Sequence, residues 1–179
     1  MTKSLTKLLS GEKNFEGETF ENLDLDLTQL LDHNFEDCVF INCKFNNVNF
    51  HGTKMQNVRF EACKITGVDF SILSKFLIEM HFEETVLEVC TFSNQKLQDL
   101  SFQNSSLKEC DFTSCNLQKV HLGDTDLKGT TFIDCDLRQT DFKTAQNYFF
   151  DLNQNKVKGA KFSQPEVLTF LSPYGLKIS

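Results

Sequence analysis

Residues 110–144 read CDFTS CNLQK VHLGD TDLKG TTFID CDLRQ TDFKT when broken every five residues. The third place is always Phe or Leu, the first is Cys, Val or Thr, and the second is always polar. A repeat of five fits neither the 3.6-residue turn of a helix nor the two-residue alternation of a long strand. Nor is it the period of a leucine-rich repeat. The same large apolar slot extends backward from here through Leu107, Phe102, Leu97, Phe92 and Leu87 to Phe82. A second series in another phase runs from Phe15 through Phe20, Leu25, Leu30, Phe35, Phe40, Phe45, Phe50, Met55, Phe60 and Ile65 to Phe70. Twelve apolar slots in succession, in a chain 40% hydrophobic, would arise by chance roughly once in sixty thousand trials. The chain has 19 Phe, two Tyr and no Trp, as expected if one structural slot recruits one aromatic again and again.

Calling the slot i, residue i−2 points to the same side in a short extended segment. It must be small, because residue i already fills the middle. From residue 35 onward this holds: Cys38, Cys43, Val48, Thr53, Val58 and Cys63 in the first series, Cys90, Cys110, Cys115, Thr125 and Cys135 in the second. Gln95 and Leu100 are exceptions. Glu18 and His33 break the rule earlier, so a regular coil is expected from residue 23, with 1–22 as an irregular first turn and cap. Phe92, Phe112 and Phe132 recur at every fourth slot, as do Leu87, Leu107 and Leu127. Four segments therefore make one turn, with Phe columns on two opposite sides and Leu columns on the others.

The repeats CDFTS, CNLQK, TDLKG, CDLRQ and TDFKT carry the small–Asp/Asn–large–any–any signature of pentapeptide-repeat proteins, and residues 23–162 resemble that family. The resemblance implies an all-β fold, a right-handed quadrilateral β-helix. Fold alone leaves function open.

Two places interrupt the pattern. Phe70 and Phe82 break the spacing, so residues 71–81 (SILSKFLIEMH) shift the phase, as a bulge or as a protruding contact site. At the other end Asn147 occupies an apolar slot, and the slots resume at Leu152, Val157 and Phe162. Residues 163–179 then read as a short capping helix and a strand. Ser163 to Glu166 form a capping box with Pro165 in the first turn, Gly175 is the stop, and Leu176 and Ile178 form the strand. An open coil end leaves unpaired strand edges that need covering. Val167, Leu168, Phe170, Leu171 and Leu176 make this cap more apolar than a simple lid requires, which points to a shared dimer interface. The tail also resembles that of quinolone-resistance (Qnr-like) pentapeptide proteins, which dimerise through this end. Leu5, Leu8 and Leu9 suit a short N-terminal capping helix.

Catalytic and metal chemistry find little support. All seven cysteines occupy i−2 slots and none forms a C-x-x-C pair, so they read as free core residues. His81 and His121 fall on outward positions two coils apart, too far for one metal, and His33 reads as a buried, satisfied histidine. No glycine-rich phosphate loop is present. A solenoid wall gives no deep cleft for a nucleophile and its base. We expect no enzyme activity, cofactor or metal. The net charge of −7 argues against nucleic acid as a partner, and no stretch is long and apolar enough for a membrane span or signal peptide. A cytoplasmic protein is the expectation.

Carboxylates remain as candidate contacts. Nine fall between Glu12 and Asp37 against Lys13, whereas residues 152–179 carry four Lys against Glu166. Asp69, Asp111, Asp126, Asp136 and Asp141 occupy outward i−1 positions, and Glu79, Glu83, Glu84 and Glu88 flank the phase break. An i−1 carboxylate also suits hydrogen bonding to the next corner's backbone; the Glu group has no such duty. Duplex DNA carries about one charge per 1.7 Å, or roughly 20 over a rod of roughly 35 Å, so any imitation of DNA is confined to one face. Qnr-like proteins bind DNA gyrase or topoisomerase IV. The resemblance implies a DNA-mimicking homodimer that binds a type II topoisomerase and modulates its inhibition by quinolones or toxins. The alternative is a scaffold for another protein.

Overall fold

The computed structural model describes residues 3–76 and 78–176. Its strands are nearly all three residues long, and every pairing between them is parallel. The chain winds as a right-handed quadrilateral β-helix whose four faces are parallel sheets. The first face begins with Asn14–Glu16, Asn34–Glu36 and Lys54–Gln56. It continues through single bridges linking Lys96, Asn116, Asp136 and Lys156. The second face stacks Thr19–Glu21, Val39–Ile41, Val58–Glu61, Met80–Glu83 and Ser101–Gln103. The third runs from Asp24–Asp26 to Ser106–Lys108, and the fourth holds Thr91–Ser93, Asp111–Thr113 and Thr131–Ile133.

Each three-residue strand buries only its middle residue, the slot residue, so the interior is a stack of slot side chains. Phe70, Phe92, Phe112 and Phe132 stack nearly parallel at centroid separations of 4.8, 4.7 and 5.1 Å. Phe40, Phe60, Phe82 and Phe102 do the same from the opposite face at 5.3, 5.1 and 5.1 Å. Rings of the two columns meet edge to face across the interior, as Phe102 and Phe112 do at 87°. The strand spacing of about 4.8 Å matches the offset-stacking distance of aromatic rings, so one column satisfies both.

Corners follow from the residue two places after the slot. Asn22, Asn42, Asn47, Asn57, Asp32 and Asp37 all lie there with φ between 49° and 57°. Asn, Asp and Gly tolerate this left-handed conformation best. Corners also stack closely. A Cβ on Gly52 would lie 2.2 Å from Asp32 Oδ1, and one on Gly67 would lie 2.3 Å from Asn47 Oδ1.

The small i−2 residue does more than leave room. Thr85 Oγ1 donates to the Phe60 carbonyl at 2.9 Å and accepts from the Cys63 N–H at 3.1 Å. Thr140 Oγ1 donates to the Leu117 carbonyl at 2.7 Å, and Cys38 Sγ–H donates to the Phe15 carbonyl at 3.4 Å. The three carbonyls belong to buried slot residues, and one left bare would cost about 1–3 kcal/mol. All seven cysteines are free and buried in these slots. Burial pushes the Cys38 thiol upward, and the hydrogen bond with Cys43 together with burial pushes Cys63 upward.

The regular coil begins before residue 23. Phe15 and Phe20 are already buried slot residues, and the strand Asn14–Glu16 pairs in register with Asn34–Glu36. The two misfits are absorbed locally. Glu18 turns outward to Lys7 Nζ at 2.5 Å, on the capping helix Lys3–Leu8 that drives Leu8 into the core. His33 stacks against Phe15 and Phe35 with interplanar angles of 7° and 12°, its Nδ1 3.1 Å from the Leu31 carbonyl.

The phase break is a single lengthened turn. Phe40 pairs with Phe60, four repeats along the chain. Phe60 pairs with Phe82 and Ile65 with Leu87, in each case two positions beyond the partner that four repeats would give. A 3-10 turn, Phe70–Ile72, starts it, and Ser74 and Glu79 then donate backbone bonds to Thr53 and Met55. The surplus residues therefore bulge from the first face. Leu73 and Ile78 point into the core while Phe76 is 67% exposed. Gln95, an exception to the small-residue rule, donates to the Phe70 and Ser71 carbonyls of this turn.

At the C-terminal end the apolar slot moves by one residue: Asn147 takes a left-handed corner, and Tyr148 is buried in its place. Leu152 is 37% exposed, so the regular slots do not resume there as the pattern predicts. The cap is a nine-residue 3-10 helix, Glu166–Tyr174, without the side-chain capping bond expected of Ser163; Ser163 Oγ instead donates to the Lys143 carbonyl. Gly175 ends it in the left-handed conformation, as expected. Leu176 is exposed and lies in no strand, and Ile178 falls outside the described residues.

Because Phe112 is clasped by parallel rings above and below, its truncation removes two stacking contacts and opens a cavity between coils. Phe112→Ala is expected to cost about 3–5 kcal/mol, read as a fall in the midpoint of urea unfolding at unchanged far-ultraviolet circular dichroism.

Candidate carboxylate interface

The five wall aspartates are spread over all four faces. Asp69 and Asp111 lie on the fourth, Asp126 on the third, Asp136 on the first and Asp141 on the second. Each is engaged locally. Asp69, Asp126, Asp136 and Asp141 accept from the backbone N–H two residues on, those of Ser71 (2.8 Å), Lys128 (3.2 Å), Arg138 (3.3 Å) and Lys143 (3.1 Å). That is the turn-stabilising role of a short acidic side chain. Asp111 accepts from Thr131 Oγ1 on the next coil. Asp136 is held most firmly: Arg138 donates to it at 2.6 and 2.8 Å and Gln118 at 3.0 Å. The Arg138 guanidinium keeps its carboxyl below the usual carboxylate range.

The glutamates behave differently. Strand pairing places Glu83 directly above Glu61, itself above Ile41, on the second face. Glu84 follows at the corner between the second and third faces, exposed and with φ of 50°. Ile41, Glu61, Ala62, Glu83 and Glu84 line a notch of about 260 Å³. Neither Glu83 nor Glu84 forms an ion pair with a described residue. Glu61 has Arg59 Nε at 3.7 Å. Glu88 stands on the third face, where Lys64 Nζ holds it at 2.9 Å, and Glu79 lies 3.6 Å from His81 Nε2. The structure thus brings together Glu83 and Glu84 of the nine expected residues and adds Glu61. Sequence reading missed Glu61 because its pairing with Glu83 departs from the regular coil length, a departure that appears only once the lengthened turn is known.

At the C-terminal end, Phe170 is already committed within its own chain. It packs on Phe150 at 5.1 Å and Phe162 at 5.3 Å and is 9% exposed. Val167, Leu168 and Leu171 are half-buried. The apolar groups left outward are Leu176, expected from the sequence, and Phe149, Leu152 and Tyr174, which were not. Phe149, Phe150, Phe170, Pro173 and Tyr174 line a pocket of about 330 Å³. Among the described residues no three His, Cys, Asp or Glu side chains converge as a metal site would require, and no helix is long and apolar enough to cross a membrane.

Fold and surface define a repeat solenoid with a carboxylate edge. The sequence matches the pentapeptide repeat region model over residues 13–74 and 75–142, and the chain belongs to the pentapeptide-repeat family. No curated protein sequence matches it. Solved structures that it resembles include QnrB1, a plasmid-mediated fluoroquinolone resistance protein, at 15% identity and a TM-score of 0.42, with 93% of this chain and all of that one covered. HetL, a pentapeptide repeat protein involved in heterocyst differentiation regulation in the cyanobacterium Nostoc, aligns at 14% identity and a TM-score of 0.37 over 89% of this chain and 92% of its own. A pentapeptide repeat protein of the Arabidopsis thaliana thylakoid lumen aligns at 20% identity and 0.26 over 53% and 58%. Likenesses at this level carry no functional argument.

The Asp136–Arg138 pair has a pH signature. A carboxyl depressed in the folded state contributes stability above its unfolded pKa of about 3.9 and loses it as pH falls through the folded value. Asp136→Asn is therefore expected to be less stable than the parent at pH 7, with thermal midpoints that converge as the solution is acidified below that range.

Proposed function

We propose that this rod is a protein-binding module that presents carboxylates to the basic DNA-binding saddle of a type II topoisomerase, DNA gyrase or topoisomerase IV, and modulates its inhibition by quinolones or toxins. The observation that carries this reading is the pair Glu83 and Glu84. Their side chains are exposed and free of ion pairs with described residues, Glu83 lies directly above Glu61, and only their backbones take part in holding the coil. A saddle lined with Lys and Arg for phosphates would meet them as it meets a short stretch of DNA backbone. Mimicry is local to this edge, since the wall aspartates serve their own corners on four separate faces. Their dispersal favours a second reading, a scaffold that docks some other basic protein surface by the same edge. Either role is one of binding, and a topoisomerase partner implies a cytoplasmic protein.

The deciding measurement is DNA supercoiling by purified gyrase and decatenation by topoisomerase IV, with and without a quinolone, at low and moderate salt. Added protein should alter enzyme activity or drug-induced cleavage, and binding should weaken as salt rises. Glu83→Lys with Glu84→Lys should abolish the effect while thermal stability stays within about 0.5 kcal/mol, as for surface substitutions generally. If the parent protein neither binds nor affects either enzyme at low salt, the topoisomerase reading fails and the scaffold reading stands.

We further propose that two rods join through the C-terminal end, where Phe149, Leu152, Tyr174 and Leu176 face outward. Tyr174→Glu should give monomers in sedimentation velocity with an unchanged circular dichroism spectrum. A parent protein that sediments as a monomer at micromolar concentration would end the dimer proposal.

A further inference from the structure

The first face carries a feature that the carboxylate edge does not use. In its C-terminal half it presents Lys96, Lys119, Arg138, Lys156 and Lys158 against only Asp99 and Asp136, in a chain whose net charge is −7. Asp136 is already neutralised by Arg138 at 2.6 Å. Lys96, Lys119, Lys156 and Lys158 are exposed and form no ion pair with a described residue, although Lys7, Lys13, Lys44, Lys64 and Lys161 all do. Between the lysines stand the amides Gln98, Asn116, Gln118 and Gln139. The backbone bridges from Lys96 through Asn116 and Asp136 to Lys156 fix these positions on one flat strip, about 14 Å from first to last at the usual strand spacing. Where this strip meets the lengthened turn, Phe76 stands 67% exposed beside exposed Lys75. An aromatic ring that a two-residue surplus holds out of a regular wall is the side-chain type that anchors protein interfaces.

We propose that this strip is a second docking surface, and that its occupant is an acidic protein segment with an apolar side chain that packs on Phe76. Charge complementarity selects an acidic partner. The extent of the strip selects a protein over nucleic acid: toward the N-terminal end the same face carries Glu16, Glu36 and Asp37, which a duplex lying along the rod would have to cross. Phe76 adds an apolar contact that a phosphodiester backbone cannot return. The surface is separate from the Glu83–Glu84 edge, so the proposal does not rest on the topoisomerase reading.

The test is fluorescence anisotropy with the full chain and three labelled probes: an acidic amphipathic peptide containing Leu and Phe, polyglutamate of the same length, and a short DNA duplex. The amphipathic peptide should bind saturably, more tightly than polyglutamate, and progressively less well as salt rises. Lys119→Gln, Lys156→Gln and Lys158→Gln together should abolish binding, and Phe76→Ser should weaken it about tenfold. Glu83→Lys with Glu84→Lys should leave it intact. All these side chains are exposed, and unchanged circular dichroism would establish that the variants are folded. The proposal is overturned if the peptide does not bind, if neither set of substitutions changes its binding, or if the duplex binds better than the peptide. It is equally overturned if the parent protein self-associates and the lysine substitutions dissolve that assembly, which would assign the strip to a second copy of the chain.

Discussion

A three-residue strand has too few hydrogen bonds to hold its own shape. Each one here exists because the coil below offers its carbonyls in register and the coil above accepts the same favour, as Cys43 to Lys64 and Leu23 to Lys44 do at 2.9 and 2.8 Å. That vertical ladder is the constraint to which every other feature answers. It requires a corner after each short strand, and so a residue that tolerates positive φ at one fixed place. It leaves slot carbonyls in want of donors, which Thr or Cys supplies at many of the small inward positions, while Val48, Val58 and Val68 only leave room. It sets the separation of the stacked side chains, and so favours aromatic rings that pack face to face at that distance.

The repeat is legible in the sequence because each coil must solve the same problem with the same residue types. Period, number of faces and small inward positions all follow from it. What escapes is whatever happens where a coil lacks a neighbour. Glu18 violates the inward rule on the first coil, which lies against a short helix, not another coil, so an ion pair to Lys7 is tolerated; His33, on the second coil, is accommodated by stacking on Phe15 and Phe35. Tyr148 replaces the expected slot at Asn147 for a similar reason: the wall is ending, and the 3-10 cap, not a further turn, receives its ring. Capping chemistry read from Ser163 failed because its hydroxyl already serves the coil below.

The candidate interface was legible in composition and illegible in arrangement. A wall aspartate and an edge glutamate are equivalent as charges but not as structures. Asp side chains are short enough to reach the N–H two residues on, and four of the five do so at 2.8–3.3 Å. Glu83 and Glu84 follow their slot instead of preceding it, and their longer side chains extend beyond the corner. Which carboxylates are free for a partner is therefore decided by place in the repeat and by one methylene.

Both proposed surfaces trace to the lengthened coil. Its surplus residues push Phe76 out of the first face, and the strand that follows carries Glu83 on the second, with Glu84 at the corner beyond it. In a strictly regular rod every coil presents nearly the same outline, and a partner has little to register against along the axis. A single coil with a two-residue surplus breaks that translational sameness and gives the rod a landmark. The acidic N-terminal coils and the lysine strip then lie at known positions relative to it. A two-residue insertion that the hydrophobic core absorbs through Leu73 and Ile78 thus converts a repetitive scaffold into a surface with an address.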